Sequence, residues 1–406
     1  MIKKFTLLFR RLAITLMAGL LAGFIAVSNT ISYGVTIFSG DLSEHLSAGI
    51  GLALFSGLVL TATVALTSSI KGVIAFPKAA ITPIFALLAA QIATGMPASA
   101  TTDEVFFTIA VAFGVSTFSV GLVYLLFGLF KLGRLIRFMP HPVFGGFMAG
   151  LGWLLVTGGF GVMSDLSLKI GSISQWIQPD ILVLWLPGLL FAIVLFILQK
   201  HFRHDVVIPI TFLAALAIFY LVSWVTGISF IEMTRLGWLL DPLPGNEQQF
   251  HLILSNLQNI NPALILTKLQ NVNWDVISRQ ALTIIAPIPI SLLSLLFNSS
   301  GIELATKQDV NLNRELKSAG IANILASCGG GIMGYQSASL STLSHKMGAK
   351  NRFTGVFSAA FFGVVLFYSN SVLTVLPKTL IGGLLIYLGL TFLVRWVISS
   401  YAVLPK

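Results

Sequence analysis

The chain has 406 residues, 56% hydrophobic and 9% charged, with a formal net charge of +10 and a mean hydropathy of +0.93. Soluble domains carry about 25% charged residues, so a water-exposed surface over most of the chain is excluded. The basic residues sit in short loops between apolar stretches, which ties the positive balance to membrane topology and not to nucleic acid. A lone cysteine, Cys328, allows no disulfide framework.

In chain order, Met1-Ile2-Lys3-Lys4 and Arg10-Arg11 precede an apolar run from Leu12. The run is too long for a signal-peptide core and lacks a small-residue cleavage site, so it reads as a retained first span. Stretches long enough to cross a hydrocarbon core of about 30 Å recur at 12–38, 47–67, 75–94, 105–130, 141–163, 181–199, 206–226, 281–305, 315–328, 335–347, 353–373 and 378–398. They predict an all-α polytopic membrane protein. The segment 227–280 holds Asp241-Pro242-Leu243-Pro244-Gly245, several Asn and Gln residues and a weakly amphipathic stretch at 259–270. It reads as an extracytoplasmic linker between a first half, 12–226, and a second, 281–406. With a cytoplasmic N-terminus, most Lys and Arg residues fall inside, among them Lys71, Lys131, Arg134, Arg137, Lys200, Arg203, Lys307, Lys317 and Lys350. Lys169, Arg235, Lys268, Arg279 and Lys378 fall outside, together with Asp41, Glu44, Asp103 and Glu104. This is the positive-inside pattern of a multi-pass protein of the inner (plasma) membrane.

Two spans are irregular. The third opens with Gly72 and is broken at Pro77, with Pro83 following; the tenth follows Gly329-Gly330-Gly331 and Gly334. Non-helical backbone at membrane depth survives only where it is buried or lines a cavity. In a chain of two seven-span halves the third and tenth spans are equivalent, and an odd repeat inverts one half relative to the other. Each half-helix would present an amino end worth about half a unit charge, suited to an anion. The candidate substrate-binding residues are therefore Phe76, Pro77, Lys78, Tyr335, Gln336, Ser337, Ala338 and Ser339, with Ser341 and Thr342 as further hydroxyl donors. Lys78 is expected at the start of the third-span half-helix, a costly depth for a lysine unless it has a role. Two plainer readings stand beside these: the serines pack helices together, and Lys78 snorkels to the cytoplasmic interface. In Asn298-Ser299-Ser300-Gly301-Ile302-Glu303, Glu303 either binds a coupling cation or proton, pairs with Lys78, or faces water. Asp309 and Glu315 read as loop and helix-start residues, with Asn311 or Asn313 capping a helix from Arg314.

Residues 311–334, Asn-Leu-Asn-Arg-Glu-Leu-Lys-Ser-Ala-Gly-Ile-Ala-Asn-Ile-Leu-Ala-Ser-Cys-Gly-Gly-Gly-Ile-Met-Gly, resemble the N-x-E-L-x-x-x-G-x-A-N signature of SulP permeases. Residues 132–147 resemble that family's link between spans four and five, and Val375-Leu376-Pro377-Lys378 the start of its twelfth span. The resemblance runs over most of the chain in the right order. It implies the seven-plus-seven inverted-repeat fold of UraA- and SulP-like transporters, a core and a gate that move in an elevator-like manner, and substrate between the third and tenth spans. It also implies a homodimer and substrates such as sulfate, bicarbonate, chloride or dicarboxylates. Three places depart from the pattern. Leu340 stands where many members carry Arg. Ser294 stands near the place of an acidic residue in the eighth span, and joins Asn298 and Glu303 as a candidate coupling-ion residue for Na⁺ or H⁺. Phe76-Pro77 replaces Gly-Pro. Lys78 would restore the charge missing at Leu340, in a divergent branch for which sulfate is not assumed. The family would continue past Lys406 with two more spans and a cytoplasmic STAS domain, so the expectation is a transmembrane part without that domain.

The leading expectation is a secondary active transporter of a small inorganic or organic anion, with no cofactor. No G-x-x-x-x-G-K-[ST] loop occurs, which argues against an ATP-driven pump in this chain. The alternative on the same scaffold is a carrier of an amino acid or other non-sulfate solute. An intramembrane enzyme needs a serine within reach of a histidine, but His45, His141, His201, His204 and His251 fall mostly in loops, and Ser344-His345 lies in neither a G-x-S-x-G nor an H-E-x-x-H. A non-transporting scaffold or sensor is the remaining reading.

Overall fold

Backbone within lipid must satisfy its own hydrogen bonds, and helices accordingly follow the apolar stretches closely. A computed structural model describes residues 2–38, 40–133, 141–164, 176–202, 207–239, 272–368 and 377–394. The link 134–140, the middle of the linker with its expected amphipathic stretch 259–270, Val375-Leu376 and the end from Arg395 lie outside the described residues. The long elements are α1 (Ile2–Ile37), α2 (Leu46–Thr67), strand β1 (Ala75–Pro77), α3 (Thr82–Gly95), α4 (Thr102–Leu129), α5 (His141–Ser164), α6 (Pro179–Phe202) and α7 (Val207–Thr226). The second half holds α8 (Pro287–Thr306), α9 (Leu312–Ser327), strand β2 (Gly334–Gln336), α10 (Ala338–Lys346), α11 (Phe353–Tyr368) and α12 (Lys378–Leu393). Short helices at Phe230–Arg235, Trp274–Arg279 and Ala281–Ile285 precede α8.

Among the described residues, five helices are each long and apolar enough to cross a membrane. The third and tenth spans are not among them, because each is divided into a three-residue strand and a helix of 14 or 9 residues. At 1.5 Å per residue neither helix covers a 30 Å core alone. This is an all-α polytopic membrane fold with two half-helices.

The packing partners repeat under an exchange of first-half for second-half elements. Helix α4 lies along α9 and α11 along α2; α1 packs on α11 and α8 on α4; α1 meets α3 as α8 meets α10. That set of contacts is what a two-fold related pair of inverted halves produces. A second group forms around α5 and α12, with α6 against both and α7 beside α6. The groups touch where α1 meets α7 and α8 meets α5. The α5–α12 contact is a backbone approach through small residues, a packing mode suited to lipid. A Cβ added to Gly159 would stand 2.6 Å from the Gly382 carbonyl oxygen, and one on Gly382 would stand 2.5 Å from that of Gly159. Lys378, expected in an outer loop, is instead buried at the amino end of α12, where Trp238 O accepts its N–H at 2.9 Å.

Gly382→Val should wedge α5 from α12 and cost about 1–3 kcal/mol by overpacking. A lowered thermal midpoint of the detergent-solubilised protein is expected; an unchanged midpoint would show that the helices are not held this closely.

Candidate functional site

The two strands cross antiparallel at the centre of the α1–α4 and α8–α11 group. Ala75 lies opposite Gln336, Phe76 opposite Tyr335 and Pro77 opposite Gly334, and Ser337 N–H donates to Ile74 O at 2.8 Å. Only glycine fits at 334, since an added Cβ would stand 2.5 Å from the Phe76 carbonyl oxygen. Broken backbone at this depth needs outside partners, and side chains of the flanking helices supply them. Asn323 on α9 donates to Gly334 O at 2.8 Å and accepts Gly334 N–H at 2.9 Å. Ser56 on α2 accepts Ile332 N–H at 2.7 Å, and Thr117 on α4 donates to Gly331 O at 2.7 Å. Thr61 Oγ1 donates to Ala75 O.

Each strand leads into a half-helix. Helix α10 is capped by Ser337, whose Oγ accepts Leu340 N–H at 3.5 Å, while Asn298 Oδ1 on α8 accepts Ala338 N–H at 3.0 Å. The amino end expected to face a solute thus has two of its donors already engaged by protein oxygens. Ser339 Oγ, half-buried, lies 3.1 Å from Ser337 Oγ. Ser341 accepts Ile74 N–H at 3.0 Å, so it braces the third-span strand. Leu340 is buried in the core.

Lys78 lies in the turn between β1 and α3, and not at the helix start; α3 begins at Thr82, with Pro83 in its first turn. Its half-buried side chain folds back so that Nζ lies 3.7 Å from the centroid of the Phe76 ring and 5.4 Å from that of Tyr335. Rings in this position attract a cation. Among the described residues it has no carboxylate partner, and the possible pair with Glu303 is not formed. Tyr33 on α1 places its hydroxyl against the Ala79 amide.

On α8, Ser294 and Asn298 are four residues apart and share a face; Asn298 Nδ2 donates to Ser294 O at 2.8 Å, and Ser294 lies beside the Tyr335 hydroxyl. Glu303 is five residues beyond Asn298, rotated by about 140° around the helix, and is not brought to this group. Tyr124 on α4 faces Ser291, and its buried hydroxyl has no hydrogen-bond partner among the described residues. Tyr33 and Tyr124 escape sequence reasoning because they come from spans with no irregularity; a tyrosine's polar tip inside an apolar run was the one available signal. Among the described residues, no group of His, Cys, Asp and Glu could hold a metal ion.

Glu315 lies in the first turn of α9, as expected of a helix-start residue, and has a further role. It is fully buried. It accepts hydrogen bonds from Ser68 Oγ, Ser69 N–H and Ser69 Oγ, each at 2.7 Å, and from Gln336 Nε2 at 2.9 Å. Successive strand side chains point to opposite faces, so Gln336 turns to Glu315 while Tyr335 turns to Lys78. Arg314 Nε donates to Thr67 O at 2.8 Å and Arg352 Nη2 to Ser68 O at 2.9 Å, satisfying carbonyls that the end of α2 leaves open. Asn311 is the cap of α9, accepting Arg314 N–H at 3.1 Å, and the helix starts at Leu312.

Residues 12–399 match the model of the Sulfate permease family. The chain is 23% identical over 397 residues to the vacuolar basic amino acid transporter VSB1 of Saccharomyces cerevisiae, covering 95% of this chain and 37% of that protein. It is 24% identical over 395 residues to the bicarbonate transporter BicA of Picosynechococcus sp., covering 94% of this chain and 62% of that one. It therefore spans less than two thirds of either relative. Its fold is similar to the transmembrane domain of a cyanobacterial BicA, with a TM-score of 0.55 at 20% identity over 98% of this chain and 92% of that one. It is also similar to murine Slc26a9 in the inward-facing state, with a TM-score of 0.54 at 15% identity over 96% of this chain and 62% of that one.

Asn323→Leu should leave both polar groups of Gly334 buried and unpaired, at about 1–3 kcal/mol each. The expected result is a thermal midpoint lowered by several degrees relative to an exposed control such as Lys71→Met. Equal midpoints would remove Asn323 as the support of β2.

Proposed function

Since this chain belongs to the Sulfate permease family, we propose that it is a secondary active transporter of a small inorganic or organic anion. The observation that carries this is Lys78: a cation without a carboxylate partner among the described residues, beside the strand crossing, between the approaches to two helix amino ends. A charge at this depth without a counter-ion is costly, and a bound anion would supply one. Phe76, Lys78, Tyr335, Ser337 and Ser339 form the proposed binding set, with Ser294 and Asn298 beneath it on α8. Pro77 shapes the turn before Lys78 and the Ala338 N–H is held by Asn298 Oδ1, so neither adds a free donor, and Gln336 acts from the far face through Glu315. Any coupling Na⁺ or H⁺ would act at Ser294 and Asn298, since Glu303 lies away from both.

The grouping of α1–α4 with α8–α11, apart from α5–α7 with α12, supports an elevator-like movement of the first group against the second. The bias of Lys and Arg to one side supports a cytoplasmic N-terminus in the inner (plasma) membrane. A homodimer is proposed by analogy of fold alone.

The relative that carries basic amino acids favours a second reading, an amino-acid carrier on this scaffold. The local charge runs against a basic substrate: among the described residues, the charged side chain on the Phe76–Tyr335 face is a cation, and Glu315, on the far face, is already engaged by Ser68, Ser69 and Gln336.

Purified protein in liposomes, tested for uptake of labelled bicarbonate, sulfate, a dicarboxylate and arginine, separates the two. Uptake of at least one anion without arginine is expected; arginine uptake with no anion uptake would overturn the anion assignment. Lys78→Met should lower anion uptake at least about tenfold, equivalent to about 1.4 kcal/mol, with the thermal midpoint kept. Wild-type rates in that variant would remove Lys78 from the site.

A further inference from the structure

The charge inventory of the strand crossing bears on which anions can use it. Among the described residues, Lys78 is the one charged side chain against Phe76 and Tyr335. Position 340 holds a buried leucine, so no second cation comes from α10 there. The helix amino ends offer less than their dipoles suggest. At α10, Ala338 N–H is taken by Asn298 Oδ1 and Leu340 N–H by Ser337 Oγ; at α3, Pro83 has no N–H, Thr82 N–H donates to Ala79 O at 3.2 Å and Ile84 N–H to Ile81 O at 3.0 Å. A protein oxygen therefore already answers donors at each end, and the walls beside Nζ are aromatic.

Electrostatics then discriminates by valence. The cost of removing an ion from water grows with the square of its charge, about fourfold from a monoanion to a dianion in the Born picture. Its attraction to a single fixed cation grows only in proportion, about twofold. One ammonium can bring a monoanion to neutrality, but it leaves a dianion with a net negative charge among Phe76, Tyr335 and the buried core.

Resting on the anion-carrier reading above, we propose that the Lys78 site is selective for singly charged anions and excludes doubly charged ones, sulfate included. The discriminating residue is Lys78, the one cation against Phe76 and Tyr335 among the described residues; Ser339, half-buried in the first turn of α10, is the position at which a second cation is tested.

The test is competition in proteoliposomes at neutral pH, using whichever labelled anion the wild-type protein carries. Formate and oxalate are compared as carboxylates of one and two charges, and nitrate and sulfate as oxyanions of one and two. Formate and nitrate should compete at least tenfold more effectively than oxalate and sulfate. Competition by oxalate and sulfate within about threefold of their singly charged counterparts would overturn the proposal while leaving the anion-carrier reading intact. Absence of any anion transport would instead sink that underlying reading. Ser339→Lys should admit sulfate. If that variant keeps its thermal midpoint and carries the monoanion but still excludes sulfate, charge count is not the discriminator.

Discussion

Everything at the site hangs on one contact between backbones, the antiparallel crossing of β1 and β2. It joins the two halves of the chain at residues 75–77 and 334–336, more than 250 positions apart in sequence. The contact is possible because position 334 has no side chain, and it is stable because Asn323, Ser56, Thr117 and Thr61 answer polar groups that the broken spans cannot satisfy themselves. In lipid there is no water to fall back on. The crossing and its side-chain partners are therefore one structural unit, and the half-helices inherit their positions from it.

A second unit lies at the carboxyl end of α2. There Glu315, Arg314 and Arg352 converge on residues 67–69, and Glu315 reaches through Gln336 to β2. The fully buried carboxylate is met by four donors, the condition under which a buried charge is tolerated. It links the loop entering the first strand to the second strand. The site is thus braced from both halves, consistent with the group α1–α4 and α8–α11 behaving as one body.

Charge follows from this bracing. The amino end of α10 is held by oxygens of Asn298 and Ser337, which leaves Lys78 as the charged element facing the aromatic pair. The same arrangement that keeps the irregular backbone satisfied also limits how much positive potential a solute meets.

Composition and hydropathy by themselves determined the membrane class, the positions of the long helices and the two irregular spans. Apolar length and Gly/Pro interruption are local properties, and lipid makes them binding constraints. Residue spacing also marked Phe76, Lys78, Tyr335 and Ser337 as belonging near one another. Tertiary structure decided what spacing could not express. It turned Gln336 to Glu315 and Tyr335 to Lys78, because alternate strand residues take opposite faces. It made Glu315, in the first turn of α9, a buried clamp as well as a helix-start acid. It brought Tyr33 and Tyr124 in from unremarkable spans. The clamp on residues 68 and 69 and the arrival of the two tyrosines depend on contacts between segments distant in the chain, where no local pattern carries the signal.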